Sequence, residues 1–246
     1  LSLSRRASGI CGLIGREDCI ANNNQKEVNY LKHRAVLFDL DGTLLNTLED
    51  VAGSVNHGLE KLGFPRHTVP EYKNLIGEGR DVLALKALPE NHRNAETGKK
   101  LLDLINANYA IHWADHTRPY PGIPELLDAL TVSAIKITVL SNKADDLTNI
   151  CVTKLLSRWH FALVAGSRPN IPNKPDPAGA LQLAKQAGIK PEEFLYLGDS
   201  DIDMKTAVGA GMYPIGAGWG FRSEKELLGA GAKAVIKQPE ELLQYL

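Results

Sequence analysis

The stretch Ala35-Val36-Leu37-Phe38-Asp39-Leu40-Asp41-Gly42-Thr43-Leu44 decides the fold. Four apolar residues in a row, stopped by Asp-x-Asp-Gly, read as a fully buried strand that ends in a turn. A helix is predicted directly behind it. Leu48, Val51, Ala52, Val55, Leu59 and Leu62 fall at helical spacing. Asn46 or Thr47 can cap it, Glu49 and Asp50 stand in its positive first turn, and Gly63 can end it.

Outward from that stretch the texture is uneven. From about Leu48 to Arg118 the pattern is helical, with Leu83–Leu88 and Leu101–Ile111 the clearest pieces and no convincing strand. After Pro119 short apolar runs (Ile135–Leu140, Phe161–Ala165, Phe194–Leu197 and Tyr213–Ile215) alternate with helical ones (Pro124–Leu130, Asp145–Leu156 and Ala178–Ala187). Alternation of this kind predicts an α/β protein: a Rossmann-like parallel sheet with helices on both faces. The all-helical block between the first strand and the rest predicts an inserted helical cap. The expected division is residues 34–47 and 119–246 for the core and 48–118 for the cap. Residues 1–33, with Arg5, Arg6 and Arg16 among serines and no acid before Glu17, are expected to be a disordered leader or a targeting segment.

Composition narrows the functional class. The chain has 246 residues, 43% apolar, with 28 basic and 29 acidic side chains. So balanced a charge gives no reason to expect nucleic acid or a membrane as partner. Cys11, Cys19 and Cys151 form no CxxC pair, which argues against a disulfide framework or zinc knuckle and for a reducing, cytoplasmic setting, or an organellar one if the leader is a targeting segment. A monomer or homodimer with a small-molecule partner is expected.

In an open parallel sheet, ligands sit beyond the carboxyl ends of the strands. The residues placed there are Asp39, Asp41, Gly42 and Thr43 after the first run, and Ser141, Asn142 and Lys143 after the second. Lys174 in Asn-Lys-Pro-Asp-Pro precedes a helix, and Gly198, Asp199, Ser200, Asp201 and Asp203 follow Phe194–Leu197. Crowding Asp39, Asp41 and Asp199 is unfavourable unless a cation sits among them. Oxygen ligands in small number suit Mg²⁺, which also binds substrate phosphate. Lys174 and the Ser141 hydroxyl supply charge and a hydrogen bond, and Gly42 leaves backbone N–H groups open to phosphate oxygens. One carboxylate can attack phosphorus, and a second, two residues on, can protonate the leaving oxygen and later deprotonate water.

These four stretches, Phe38-Asp39-Leu40-Asp41-Gly42-Thr43-Leu44, Leu140-Ser141-Asn142-Lys143, Lys174 with its prolines and Gly198–Asp203, resemble in order the four motifs of the haloacid dehalogenase-like superfamily. The resemblance runs from about Ala35 to the end. It implies Asp39 as nucleophile and metal ligand, and Asp41 as general acid/base with its backbone carbonyl on the metal. It further implies Asp199 as the third protein ligand of Mg²⁺, Ser141 and Lys174 as holders of the phosphoryl group, and Asp203, beside Ser200, as an outer residue that orients a metal-bound water or Lys174. Lys174-Pro175-Asp176-Pro177 and the ending from Trp219 look most like the phosphoglycolate phosphatases, which implies hydrolysis of 2-phosphoglycolate to glycolate. Other branches of the superfamily are the alternatives: phosphosugar mutase, phosphonoacetaldehyde hydrolase or pyrophosphatase. A silent binding module is a further one.

Three further patterns are weaker. Gly216, Gly218 and Gly220 lack the GxGxxG spacing of a dinucleotide loop. His112 and His116 at i, i+4 could bind zinc but show no third ligand. Gly77-Glu78-Gly79-Arg80 could carry an arginine over the substrate to pair with its carboxylate, or be a plain interhelix turn. No GxxxxGK[ST] or GxSxG occurs, which removes the P-loop and esterase readings.

Overall fold

The computed structural model describes residues 32–246, so the expectation of a leader lies outside the described residues apart from Lys32 and His33. In chain order the elements are β1 (Ala35–Phe38), β2 (Leu45–Asn46), α1 (Leu48–Lys61), α2 (Arg80–Ala87), α3 (Ala95–His112), β3 (Arg118–Pro119), α4 (Ile123–Val132) and β4 (Lys136–Ala144). There follow α5 (Asp145–Leu155), β5 (Leu163–Ser167), α6 (Ala178–Ala187), β6 (Phe194–Gly198), α7 (Asp201–Ala210), β7 (Tyr213–Ala217), α8 (Glu224–Gly229) and β8 (Ala234–Ile236).

Six strands form one sheet in the order β5-β4-β1-β6-β7-β8, every neighbouring pair parallel. The α/β class expected from the alternation is what the chain adopts. Period-two alternation along each strand divides the apolar side chains between two layers. Val36, Phe38, Leu195 and Leu197 join Ile123, Leu126 and Leu130 of α4 and Cys151 and Val152 of α5 on one face. Ala35, Leu37, Phe194 and Tyr196 join Ala180, Leu183 and Ala184 of α6 and Ala207 and Ala210 of α7 on the other. Burial on both faces explains why these strands read as unbroken apolar runs.

A third hydrophobic cluster belongs to the helical segment alone. Ala52, Val55 and Leu59 of α1 meet Tyr72, Leu83, Ala84, Ala87, Leu88, Leu101 and Ile105, with Leu48, Val51 and Leu62 packed at its margin. These include every position of the helical stripe read behind β1. Neither candidate cap works as expected on its own side chain. Thr47 is the N-cap residue but makes no side-chain cap bond, and Asn46 Oδ1 accepts from Leu48 N–H at 3.4 Å.

The entry to and exit from the helical segment lie side by side. Leu45 pairs with Pro119 and Asn46 with Arg118 in a short antiparallel ribbon, β2–β3. Asp50 locks the same junction. It accepts from His116 N–H (3.0 Å), the His116 ring (2.9 Å), Thr117 N–H (2.8 Å) and the Thr117 hydroxyl (2.7 Å). Burial works against the Asp50 carboxylate, but the bonds from Thr117 and His116 hold it below its usual range. No helix among the described residues is long and apolar enough to cross a membrane.

Candidate active site

β1 sits between β4 and β6, where the strand order reverses, so its carboxyl end opens the crevice of the sheet. Phe38 pairs with both Val139 and Leu197, and Asp39 N–H donates to Leu197 carbonyl at 3.0 Å. That register sets Asp39 level with Leu140 and Gly198, one residue before Ser141 and Asp199. A cavity of about 70 Å³ lies over this edge. From the sheet side Asp39, Asp41, Ser141, Lys174, Asp199 and Phe221 line it, and from the helical segment Val51, Ile76, Arg80, Leu83, Ile105 and Tyr109.

Lys174 is the hub of the floor. Its Nζ lies 2.8 Å from Asp39 Oδ1, 2.6 Å from Asp203 Oδ1 and 3.2 Å from Leu140 carbonyl. Burial works against this ammonium, yet Asp203 and Asp39 hold it well above the usual lysine value. Asp203, fully buried, also accepts from Tyr196 OH (3.2 Å) and from Ser200 Oγ (2.5 Å) and N–H (3.1 Å). Ser200 in turn caps α7, so Asp203 and Ser200 form a capping box turned inward.

Asp199 accepts from Thr43 Oγ1 at 3.3 Å and from Phe221 N–H at 2.7 Å. Gly42 and Gly220 admit it. A Cβ at Gly42, where φ is +88°, would stand 2.2 Å from Asp199 Oδ2, and one at Gly220 would stand 2.2 Å from Asp199 Cβ. Gly42→Ala is therefore strained twice, by its left-handed backbone and by a clash with a fixed carboxylate. It is expected to cost about 1–3 kcal/mol in a denaturant titration, where an unchanged midpoint would contradict the packing described.

Asp39, Asp199 and Asp203 bring carboxylate oxygens within 4.8 Å of one another, all buried. Burial, then the neighbouring Asp203, pushes the Asp39 carboxyl up to about 7, and burial with Asp39 raises Asp199 well above the carboxylate range. The Asp41 side chain stands outside this cluster and faces Lys143, whose Nζ bonds both oxygens at 2.7 and 2.8 Å. The third carboxylate of the cluster is Asp203, which bonds Lys174, one of the two partners the resemblance implies for it. In all, four carboxylates face two ammonium groups, so with every carboxyl ionised two negative charges are uncompensated in a buried site. An oxygen-only, doubly negative set fits a hard divalent cation such as Mg²⁺.

Other expected residues also find defined places. Asn142 is spent on structure: Oδ1 accepts Lys174 N–H (2.9 Å), and Nδ2 donates to Lys174 carbonyl (3.0 Å) and Gly77 carbonyl (2.9 Å). An amide so engaged positions Lys174 rather than gripping substrate. Ser141 does not cap α5, which starts at Asp145 behind Ala144; its Oγ accepts from Lys143 N–H at 3.2 Å and lines the cavity. Arg80 opens α2, lines the cavity, and donates to Asn106 Oδ1 at 2.5 Å. Among the described residues it pairs with no carboxylate. His112 and His116 bond separate acids, Asp115 at 2.8 Å and Asp50 at 2.9 Å, and share no metal site. Gly216 and Gly218 pack against Leu227, Val235 and the Ile236 carbonyl, which accounts for glycines there without a dinucleotide.

Three residues have no role assigned from the sequence. Lys143 is the partner of Asp41; burial alone would lower its ammonium, but Asp41 holds it above its usual value. Arg222 reaches from the loop after β7 to the carbonyls of Lys73 and Ile76 (the latter at 3.1 Å), tying that loop to the helical segment. Tyr109 of α3 sets its ring 5.2 Å from Lys143 Nζ. Lys143 alone had a signal, its place directly after Ser141-Asn142 at the end of β4.

A doubly wound parallel sheet with an acidic, lysine-bearing floor under a helical segment defines the class: an α/β enzyme built to handle an anion beside a cation. The sequence profile of the haloacid dehalogenase-like hydrolases matches residues 36–217, and the chain belongs to that family. Within it the chain is phosphoglycolate phosphatase-like. It is 33% identical over 221 residues to the phosphoglycolate phosphatase of Chromobacterium violaceum, covering 88% of this chain and 98% of that one. The phosphoglycolate phosphatase of Aquifex aeolicus is 31% identical over 188 residues, 76% and 86% of the two chains. The crystal structure of a proposed phosphoglycolate phosphatase from Lactobacillus delbrueckii superposes with a TM-score of 0.83 at 29% identity, covering 88% of this chain and 99% of that one.

Proposed function

We propose that this hydrolase cleaves 2-phosphoglycolate to glycolate and inorganic phosphate, with Mg²⁺ as cofactor and Asp39 as the covalent nucleophile. The observation that carries this is a buried Asp39–Lys174–Asp199 floor facing a small cavity whose far wall bears Arg80, which has no carboxylate partner among the described residues. A two-carbon acid phosphate matches it at both ends: phosphate to the floor, carboxylate to Arg80. The phosphoglycolate phosphatases among its relatives support the same substrate.

Asp39 and Asp199 would hold the Mg²⁺, with Asp203 behind them. When bound, the ion neutralises charge on the transferring phosphoryl group. Lys174, fixed by Asp203 and Asn142, holds Asp39 by Oδ1 and can reach a phosphoryl oxygen, as can the Ser141 hydroxyl. Attack of an Asp39 oxygen on phosphorus forms the aspartyl phosphate and breaks the ester P–O bond, while Asp41 gives a proton to the departing oxygen. Water then attacks phosphorus, Asp41 takes its proton, and the P–O bond to Asp39 breaks. Lys143, on both Asp41 oxygens, holds this carboxylate in place for both proton transfers. Residues 48–118 act as the cap that excludes bulk water during transfer. Cleavage of a phosphonate by a cap Schiff base finds no support, since the lysines lining the cavity are Lys143 and Lys174, both ion-paired.

The test is a panel of 2-phosphoglycolate, phosphosugars, nucleotides and pyrophosphate, assayed with and without Mg²⁺. The highest kcat/KM is expected for 2-phosphoglycolate. Arg80→Met should reduce it by about 10- to 100-fold, chiefly through KM, because it removes a charged hydrogen bond to the carboxylate. An Arg80→Met enzyme that keeps its preference for 2-phosphoglycolate would refute this recognition.

A further inference from the structure

Tyr109 is 3% exposed, and its hydroxyl is buried with no hydrogen-bond partner among the described residues. A buried hydroxyl left unsatisfied is unfavourable, and native proteins rarely keep one without a reason. The position is not incidental. Tyr109 lies one turn after Ile105 on α3, both line the cavity, and Asn106 of the same helix holds Arg80. Its ring rests 5.2 Å from Lys143 Nζ, an ammonium that bonds both oxygens of Asp41 and has only protons to give, so it offers the Tyr109 O–H no acceptor. The other cap residues around it, Val51, Ile76 and Leu83, offer no acceptor side chain.

We propose that Tyr109 is a specificity-determining residue whose hydroxyl donates a hydrogen bond to an oxygen on the leaving group of the substrate. The assignment rests on the phosphatase reading above. The departing oxygen must approach Asp41, so the group attached to it runs along the wall that Tyr109 forms. Apolar neighbours make that wall indifferent to a plain alkyl group, and the phenol selects a short leaving group bearing a carboxylate or hydroxyl oxygen. A site built to donate to such an oxygen discriminates against an analogue lacking it, because the donor is then left unpaired.

Tyr109→Phe keeps the ring against Lys143 and removes only the hydroxyl. The experiment compares kcat/KM for 2-phosphoglycolate and for ethyl phosphate, with Mg²⁺, in wild type and Tyr109→Phe, together with the thermal midpoint of each unliganded protein. The expected result is an about 10- to 100-fold fall in the ratio of the two specificity constants, with a midpoint equal to or above that of wild type. A wild type that hydrolyses both esters while Tyr109→Phe loses equally on each, or a midpoint that falls, would show a structural hydroxyl and overturn the proposal. A wild type inactive on every ester would instead bring down the phosphatase reading, and this assignment with it.

Discussion

Asp39→Asn is expected to lower turnover by roughly 10⁴-fold or more while leaving the fold intact. The amide keeps an oxygen for Lys174 Nζ, now 2.8 Å from Asp39 Oδ1, but cannot form the acyl phosphate. The same substitution should raise the stability of the cation-free protein at neutral and alkaline pH. Burial, then Asp203, pushes the folded Asp39 carboxyl up from 3.8 to about 7. The folded state therefore keeps a proton that the unfolded chain has released, and stability present below about pH 4 is lost as pH rises to about 7. Asn carries no such charge, so its profile should be flatter through that window, by on the order of a few kcal/mol at pH 8. Added Mg²⁺ should lift the wild-type midpoint more than that of Asp39→Asn. Stopped turnover would be read from product release, and the profile from thermal melts at successive pH values. An active Asp39→Asn enzyme removes the covalent route, and a pH profile unchanged from wild type removes the argument that crowded acids call for a cation.

How far this site was legible in the sequence depends on what kind of information each residue carries. Asp39, Asp199 and Ser141 were readable because a parallel sheet puts whatever follows a buried apolar run at one edge, and the runs Ala35–Phe38 and Phe194–Leu197 are unmistakable. The helical stripe from Leu48 to Leu62 was readable for a similar reason, since one face of α1 is buried. What side chains do to one another was not. Asp41 and Lys143 are 102 positions apart, and nothing local in either says that they pair. Asp203 was readable only through the resemblance, as a residue that orients a water or Lys174; that it also joins the buried carboxylate cluster depends on the inward turn it shares with Ser200 and Lys174. Short pairings also escaped. The ribbon β2–β3 has two residues per strand, too few for any periodicity, and β8 has three. Tyr109 resembled one more apolar position on α3, because its ring packs while its hydroxyl, the informative atom, has no pattern in sequence.

The pairing that sequence could not show carries the second large effect. Lys174→Met is expected to cost about 3–5 kcal/mol in stability and roughly 10³-fold or more in kcat/KM. Lys174 is buried among three acceptors, and a partner removed from a buried ion pair leaves uncompensated charge behind. Here that charge is shared by Asp39 and Asp203, whose repulsion Lys174 relieves. The two losses should separate under a second substitution. Asp203→Asn in the Lys174→Met background removes one of the stranded charges and can still accept from Ser200, so it should recover a part of the stability. It should recover none of the turnover, because the phosphoryl oxygens still lack their ammonium partner. Alone, Asp203→Asn should destabilise, since Lys174 then keeps only Asp39 for charge compensation. A positive coupling energy in this double-mutant cycle, measured by denaturant unfolding at fixed Mg²⁺, is the signature of a shared buried charge. Additive losses would mean that Lys174 and Asp203 act independently, and the floor described here would not be the unit on which catalysis depends.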